Sequence, residues 1–168
     1  MPRGLKIAVS NDAPANLVEY YGLVPEPRHP DAVKLLDYWK ACMAKGHGFV
    51  VGRDIPARSI ASILRSVVVC EPLPDGSDLK LRLAGANVRR RFQGEIKGSL
   101  LSQIYPGEDF SHHLSASIDV IRSGKPSTFD TSLKRDGIQE LHSEILVLPV
   151  TAPDLKAAWV LIGMFYFS

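Results

Sequence analysis

Apolar residues recur at helical spacing over residues 31–45: Ala32, Leu35, Leu36, Trp39, Cys42 and Met43, with Lys34, Asp37 and Lys40 between them. That pattern predicts an amphipathic helix. Pro30 and Asp31 suit its start, through a preset φ and a negative charge near the positive end of the dipole, and Lys45-Gly46-His47-Gly48 suits its end. The β-branched run Val67-Val68-Val69-Cys70 predicts a buried strand over 66–73. After the turn Pro74-Asp75-Gly76-Ser77, the alternation Leu79-Lys80-Leu81-Arg82-Leu83 predicts the returning strand of a hairpin. A glycine-punctuated stretch over 85–107 follows, with helical pieces expected near 87–93 and 98–105. A longer helix is predicted over 108–123, with Phe110, Leu114, Ile118 and Ile121 along one side and Gly124-Lys125-Pro126 at its end.

The remainder reads as a meander of three strands, over 127–133, 139–150 and 158–167. Asp136-Gly137 is a hairpin signal, and Thr151-Ala152-Pro153-Asp154 is a turn. The order of elements is therefore α+β with an antiparallel sheet. The last strand carries more information than the others. Trp159 to Phe167 is apolar at positions facing both ways, whereas a strand with one wet face alternates. Each large apolar side chain is worth roughly 1.5–3 kcal/mol when buried. The strand is thus expected mid-sheet, with the helical connection on its inner face and the helix at 31–45, a second subunit, or both, on its outer face.

The start of the chain is different. Pro2, Pro14, Pro25 and Pro27 interrupt residues 1–28, which read as an irregular arm with a short helical turn near 16–21. The expected layout is that arm, a flanking helix at 29–48, and one domain at 49–168. A length of 168 residues suits one sizeable core. The net charge of +2 offers no strong field for nucleic acid or an anionic membrane. No apolar run nears the roughly 20 residues of a spanning helix. The basic start is followed by too short an apolar patch for a signal peptide, so a cytoplasmic location is expected. Cys42 and Cys70 match no metal-ligand spacing and read as two free, buried thiols.

This order of elements resembles the PAS fold, which implies a five-stranded antiparallel sheet in spatial order 2-1-5-4-3 with helices after the second strand. Local features extend the likeness. Trp39, Arg53-Asp54-Ile55-Pro56-Ala57, Leu81-Arg82-Leu83-Ala84-Gly85, Gly94 through Lys97-Gly98, and Leu146-Val147-Leu148-Pro149-Val150 resemble the landmarks of a small alphaproteobacterial PAS family once known only as a domain of unknown function. The resemblance implies sensing, signalling or protein interaction, and names no ligand.

Candidate chemistry is sparse. Flavin-binding PAS photosensors carry a cysteine where this chain reads Gly85-Ala86-Asn87-Val88-Arg89-Arg90-Arg91-Phe92-Gln93, so a flavin adduct is unsupported. Haem-binding PAS domains take a histidine from the long helix; His112 and His113 lie there, and read as solvated or capping residues at its edge. Arg89, Arg90 and Arg91 point about 100° apart on a helix and cannot all face one ligand. They read as solvated, or as a set in which one arginine turns inward to pair with an anion. Glu140, His142 and Glu144 share a face of one strand, with Asp130, Ser132 and Lys134 opposite; this stripe is an acid–base candidate or the exposed half of a sheet.

The function expected is a stand-alone, non-catalytic sensory module. A small apolar or amphipathic ligand would sit among Val88, Phe92, Leu100, Ile104, Leu114 and Ile118, with output through a signalling protein partner and a homodimer as the expected assembly. The identity of any cofactor is unknown from the sequence. The competing readings are a small cone-shaped α+β enzyme with an interior pocket, and a ligand-free scaffold dimerising through the 31–45 helix.

Overall fold

A computed structural model describes residues 18–46, 48–92, 94–105, 107–135 and 139–168. Strand β1 (Val18–Val24) is followed by helix α1 (Pro30–Ala44), then by the hairpin of β2 (Val67–Pro72) and β3 (Leu79–Ala84). The connection holds α2 (Ala86–Arg91) and α3 (Gly107–Ser123), and the chain ends in β4 (Ser127–Arg135), β5 (Gln139–Thr151) and β6 (Ala158–Tyr166). All named strands pair antiparallel in one sheet ordered β1-β4-β5-β6-β2-β3.

Two expectations are corrected here. The sheet has six strands, not five, and the order changes because β1 is added beside β4 at one margin. The helical turn expected near 16–21 is replaced, from Val18 onward, by extended chain. Val18, Tyr20, Tyr21 and Val24 are strand formers, and the edge of β4 supplies hydrogen-bonding partners for the run. The prolines that suggested an irregular arm flank this run instead of interrupting it. Residues 1–17, and the Asp136-Gly137 turn, lie outside the described residues.

β6 lies between β5 and β2 and is covered on both sides. Leu161 and Phe165 join an outer core with Ala32, Leu35, Trp39 and Cys42 of α1, together with Phe49, Ile55 and Ile60. Val160 and Ile162 join an inner core with Phe92, Ile96, Leu101 and Ile104 of the connection and Ala116 and Val120 of α3. Helices α1 and α3 thus press on opposite faces of the same two strands, β5 and β6. Both cysteines are buried and free. Burial pushes the Cys70 thiol up to about 12, which leaves it an inert apolar group.

The local sequence features behind the family resemblance meet in pairs. The Trp39 indole N–H donates to the Pro149 carbonyl at 2.9 Å, tying α1 to β5. Asp54 accepts from the Val50 N–H at 2.7 Å and from the Arg53 guanidinium, and Tyr38 donates to the Asp54 carbonyl. The Gly98 N–H donates to Leu81 and the Leu81 N–H to Ser99, which docks the connection on β3. Gly85 has no room for a side chain: a Cβ there would stand 2.1 Å from the Leu64 carbonyl oxygen. Gly85→Ala is therefore expected to destabilise the fold by about 1–3 kcal/mol, read as a lower urea midpoint. An unchanged midpoint would contradict this packing.

Candidate functional site

Helix α3 decides what the inner face offers. The expected stripe of Phe110, Leu114, Ile118 and Ile121 does not face the sheet squarely. The buried line is Asp109, His113, Ala116, Ser117 and Val120. Ala116 and Ser117 are small and let the helix close on the strands. Phe110, Leu114 and Ile121 pack along one flank, and Ile118 lies roughly 160° round from the buried line. The two histidines are corrected with it. His113 is 3% exposed, with its ring 4.9 Å from that of Tyr105; His112 sets its ring 4.7 Å from Phe129. Burial, with His112 and Arg91 nearby, pushes the His113 imidazole down to about 3.

Two cavities open where α2, β6 and the start of α3 converge. The outer one, about 220 Å³, is lined by Ser66, Asn87, Val88, Arg90, Arg91, Tyr105, Met164 and Tyr166. The deeper one, about 30 Å³, shares Ser66, Val88, Tyr105 and Met164 and adds Val68, Leu101, His113 and Ile162. The mouth is polar and basic, and the floor is mostly apolar. The deep chamber is far too small for a porphyrin, so a haem ligated by His113 does not fit this packing.

The three consecutive arginines diverge as their helical spacing requires. Arg89 turns back to donate to the Ala84 carbonyl, Arg90 stays at the mouth beside Asn87, and Arg91 turns inward. Arg91 Nη1 donates to the Tyr166 hydroxyl at 2.8 Å and lies 3.8 Å from Met164 Sδ. The Tyr166 hydroxyl in turn donates to that sulfur at 3.3 Å. Lys97 is exposed and lines neither cavity.

Of the six residues expected to line a ligand site, Val88 lines both cavities. Phe92 and Ile104 are filled core. Leu114 packs against that core, Leu100 is half-buried opposite Lys80 at an isolated bridge, and Ile118 is half-buried. The hollow lies nearer the C-terminal end of β6 than their pattern suggested. Tyr105, Met164 and Tyr166 were missed as pocket residues because they sit in segments that read as core. Their one sequence signal is a polar or polarizable atom on an otherwise apolar run.

The carboxylate stripe resolves differently from either expectation. The cross-strand register pairs Asp130 with Glu144, Ser132 with His142 and Lys134 with Glu140. Glu144 is not on an exposed face: it is fully buried. Its carboxylate accepts the backbone N–H of Arg28 at 2.9 Å and of His29 at 2.8 Å, fastening the start of α1 to mid-sheet. Asp130 pairs with the Arg28 guanidinium at 3.0 Å. His142 is exposed and lines a separate trough of about 570 Å³ with Arg28, Asp130, Ser132 and Phe167. On α3, the buried Ser117 hydroxyl has no hydrogen-bond partner among the described residues, so His113 does not activate it as a nucleophile. Nor do three His, Cys, Asp or Glu side chains converge on a metal position among the described residues.

The last strand of the sheet is central and short helices roof an inner hollow beside it, and a family model described as a PAS domain matches residues 27–165. The chain belongs to the PAS domain family. A comparison with curated proteins returned no match. This PAS domain contains no helix, among its described residues, long and apolar enough to cross a membrane.

The His113 environment gives the PAS fold an acid limit. The unfolded chain takes up this proton near the ordinary value of 6.5, while the folded chain refuses it until about 3. The stabilisation is complete above the unfolded value and falls by about 1.4 kcal/mol per pH unit as the pH drops between the two. Urea denaturation at about pH 7 and about pH 4.5 should show this loss. His113→Leu should flatten it, and a variant retaining the full acid dependence would contradict the assignment.

Proposed function

We propose that this chain is a sensory PAS module that binds a small amphipathic molecule in the cavity between α2 and β6 and signals its occupancy to a protein partner. The observation that carries the reading is the double engagement of Tyr166. Its hydroxyl accepts from Arg91 at the exposed mouth of the outer cavity. Its carbonyl oxygen lies 3.0 Å from His29 Nε2 on the other side of the sheet. His29 is the N-cap of α1, with Nδ1 accepting the Asp31 N–H, so the ring proton sits on Nε2 and donates to Tyr166. The His29 ring also packs against Phe165 and Phe167, with centroids 5.4 and 5.1 Å apart.

A ligand that rearranges Tyr166 therefore acts on the start of α1, which Glu144 and Asp130 also hold. The outer surface of α1 and the neighbouring strand margin are the route to a partner. Ligand binding shifts the population of this junction only by its differential affinity for the two arrangements. A non-catalytic role fits the site: the carboxylate best placed for acid–base work, Glu144, is occupied by backbone N–H groups.

Native mass spectrometry of the purified protein tests the reading. A homogeneous bound small molecule is expected, and Val88→Trp, which fills both cavities, should release it with the fold intact. A protein that carries no ligand and whose thermal unfolding is insensitive to metabolite mixtures, in the wild type and in Val88→Trp alike, would contradict it.

A second reading is favoured by the outward side of α1, where Val33 and Met43 are 37% and 41% exposed. There the helix joins two copies as a homodimeric scaffold. Trp39 does not belong to that surface, being part of the chain's own core. Sedimentation of Val33→Glu with Met43→Glu is expected to give monomer if α1 is the interface; an unchanged dimer would exclude it.

A further inference from the structure

We infer that the ligand of the α2–β6 cavity is a small organic anion, its charged group on Arg91 and its apolar body between Val88, Tyr105 and Met164. The inference rests on the reading of this cavity as the ligand site and adds the chemistry it selects.

Charge makes the first argument. Two guanidinium-bearing residues, Arg90 and Arg91, line the outer cavity, and among the described residues no carboxylate does. Among the described residues the ion pairs are Arg28–Asp130, Arg53–Asp54 and Arg82–Glu71, so Arg91 belongs to none of them. Its hydrogen-bonding partners are a neutral phenol and a thioether, both weak substitutes for water around a cation. Asp109, buried at the start of α3, acts on Arg91 electrostatically without forming an ion pair with it. The planar guanidinium has five N–H donors in a fork that matches a carboxylate or phosphate, and the bonds seen here engage Nη1 alone. A cationic ligand would meet like charge at the mouth, and a neutral one would leave that fork unused.

Size and polarity make the second. The outer cavity, about 220 Å³, falls below the roughly 300–1,000 Å³ of drug-sized sites. The ligand is therefore of small-metabolite size. Beyond it, the deep chamber is walled by Val68, Leu101 and Ile162, with His113 held neutral by burial. That floor receives an apolar end and repels a second charge. The occupant is thus charged at one end only. Carboxylate and phosphate monoester share this chemistry, and the probes below separate them.

The test is calorimetric titration of the full chain with matched probes: benzoate, phenyl phosphate, benzyl alcohol and benzylamine, with butyrate and butanol as a smaller pair. At least one anion should bind about tenfold or more tightly than its neutral counterpart, and benzylamine weakest. Arg91→Gln should erase that advantage while leaving alcohol binding within about twofold, and Arg91→Lys, which keeps the charge without the fork, should retain part of it. Whether benzoate or phenyl phosphate is preferred identifies the headgroup. Alcohols binding as tightly as acids, or an acid preference that survives Arg91→Gln, would overturn the anion assignment and leave the cavity a ligand site. If no probe binds and Val88→Trp changes nothing, the ligand-site reading falls as well.

Discussion

The structure depends on one constraint: β6 must be dry on both sides. Its residues alternate between two cores. Leu161 and Phe165 face α1, and Val160 and Ile162 face the helical connection. A strand of that composition at a margin would leave several apolar side chains in water, each at a cost of roughly 1.5–3 kcal/mol. Placing it between β5 and β2 removes the cost and forces a helix onto each face. Gly163 marks how closely the outer layer approaches, since a Cβ there would meet the Phe165 ring at 2.8 Å and the Leu35 side chain at 3.5 Å. The other elements are arranged around that demand.

The two faces then divide the work. The outer one is tied by directional bonds: Trp39 to Pro149, Asp54 to Val50, and Glu144 to Arg28 and His29. The local features on which the family resemblance rests are concentrated in such joints, so they mark how the fold is assembled. The inner face is filled as far as Phe92, Ile104 and Val120 and hollow beyond them, toward the end of β6. The hollow is lined by residues outside those joints, among them Arg91, Tyr105, Met164 and Tyr166. Tyr166 touches both faces, through its hydroxyl to Arg91 and its carbonyl to His29.

Much of this was legible in the residues. The two-sided apolar run of β6, the helical spacing of α1 and the turn chemistry between strands each follow from short-range pattern, and together they imply an α+β fold with an antiparallel sheet and a central last strand; the PAS architecture was implied by the family resemblance. Three features were not legible. β1 looked irregular because prolines flank it, and its strand character is realised only where β4 offers an edge. The inward line of α3 was misplaced because three of its five buried positions are the polar Asp109, His113 and Ser117, which a search for apolar periodicity passes over. Glu144 looked like surface because its partners are backbone N–H groups 115 and 116 residues earlier, which no periodicity reveals. Of the six residues expected around the hollow, Val88 alone lines it, and no particular arginine was singled out; the position of the hollow depends on how α3 is rotated.

Native-state hydrogen exchange tests the central claim most directly. If β6 is the doubly covered axis of the fold, the amides of Val160 to Gly163 open only with global unfolding and rank with the slowest in the protein. Their exchange free energies should equal the stability measured by denaturant. Exchange of these amides through local fraying, at free energies as low as those of the marginal strands β1 and β3, would contradict the account.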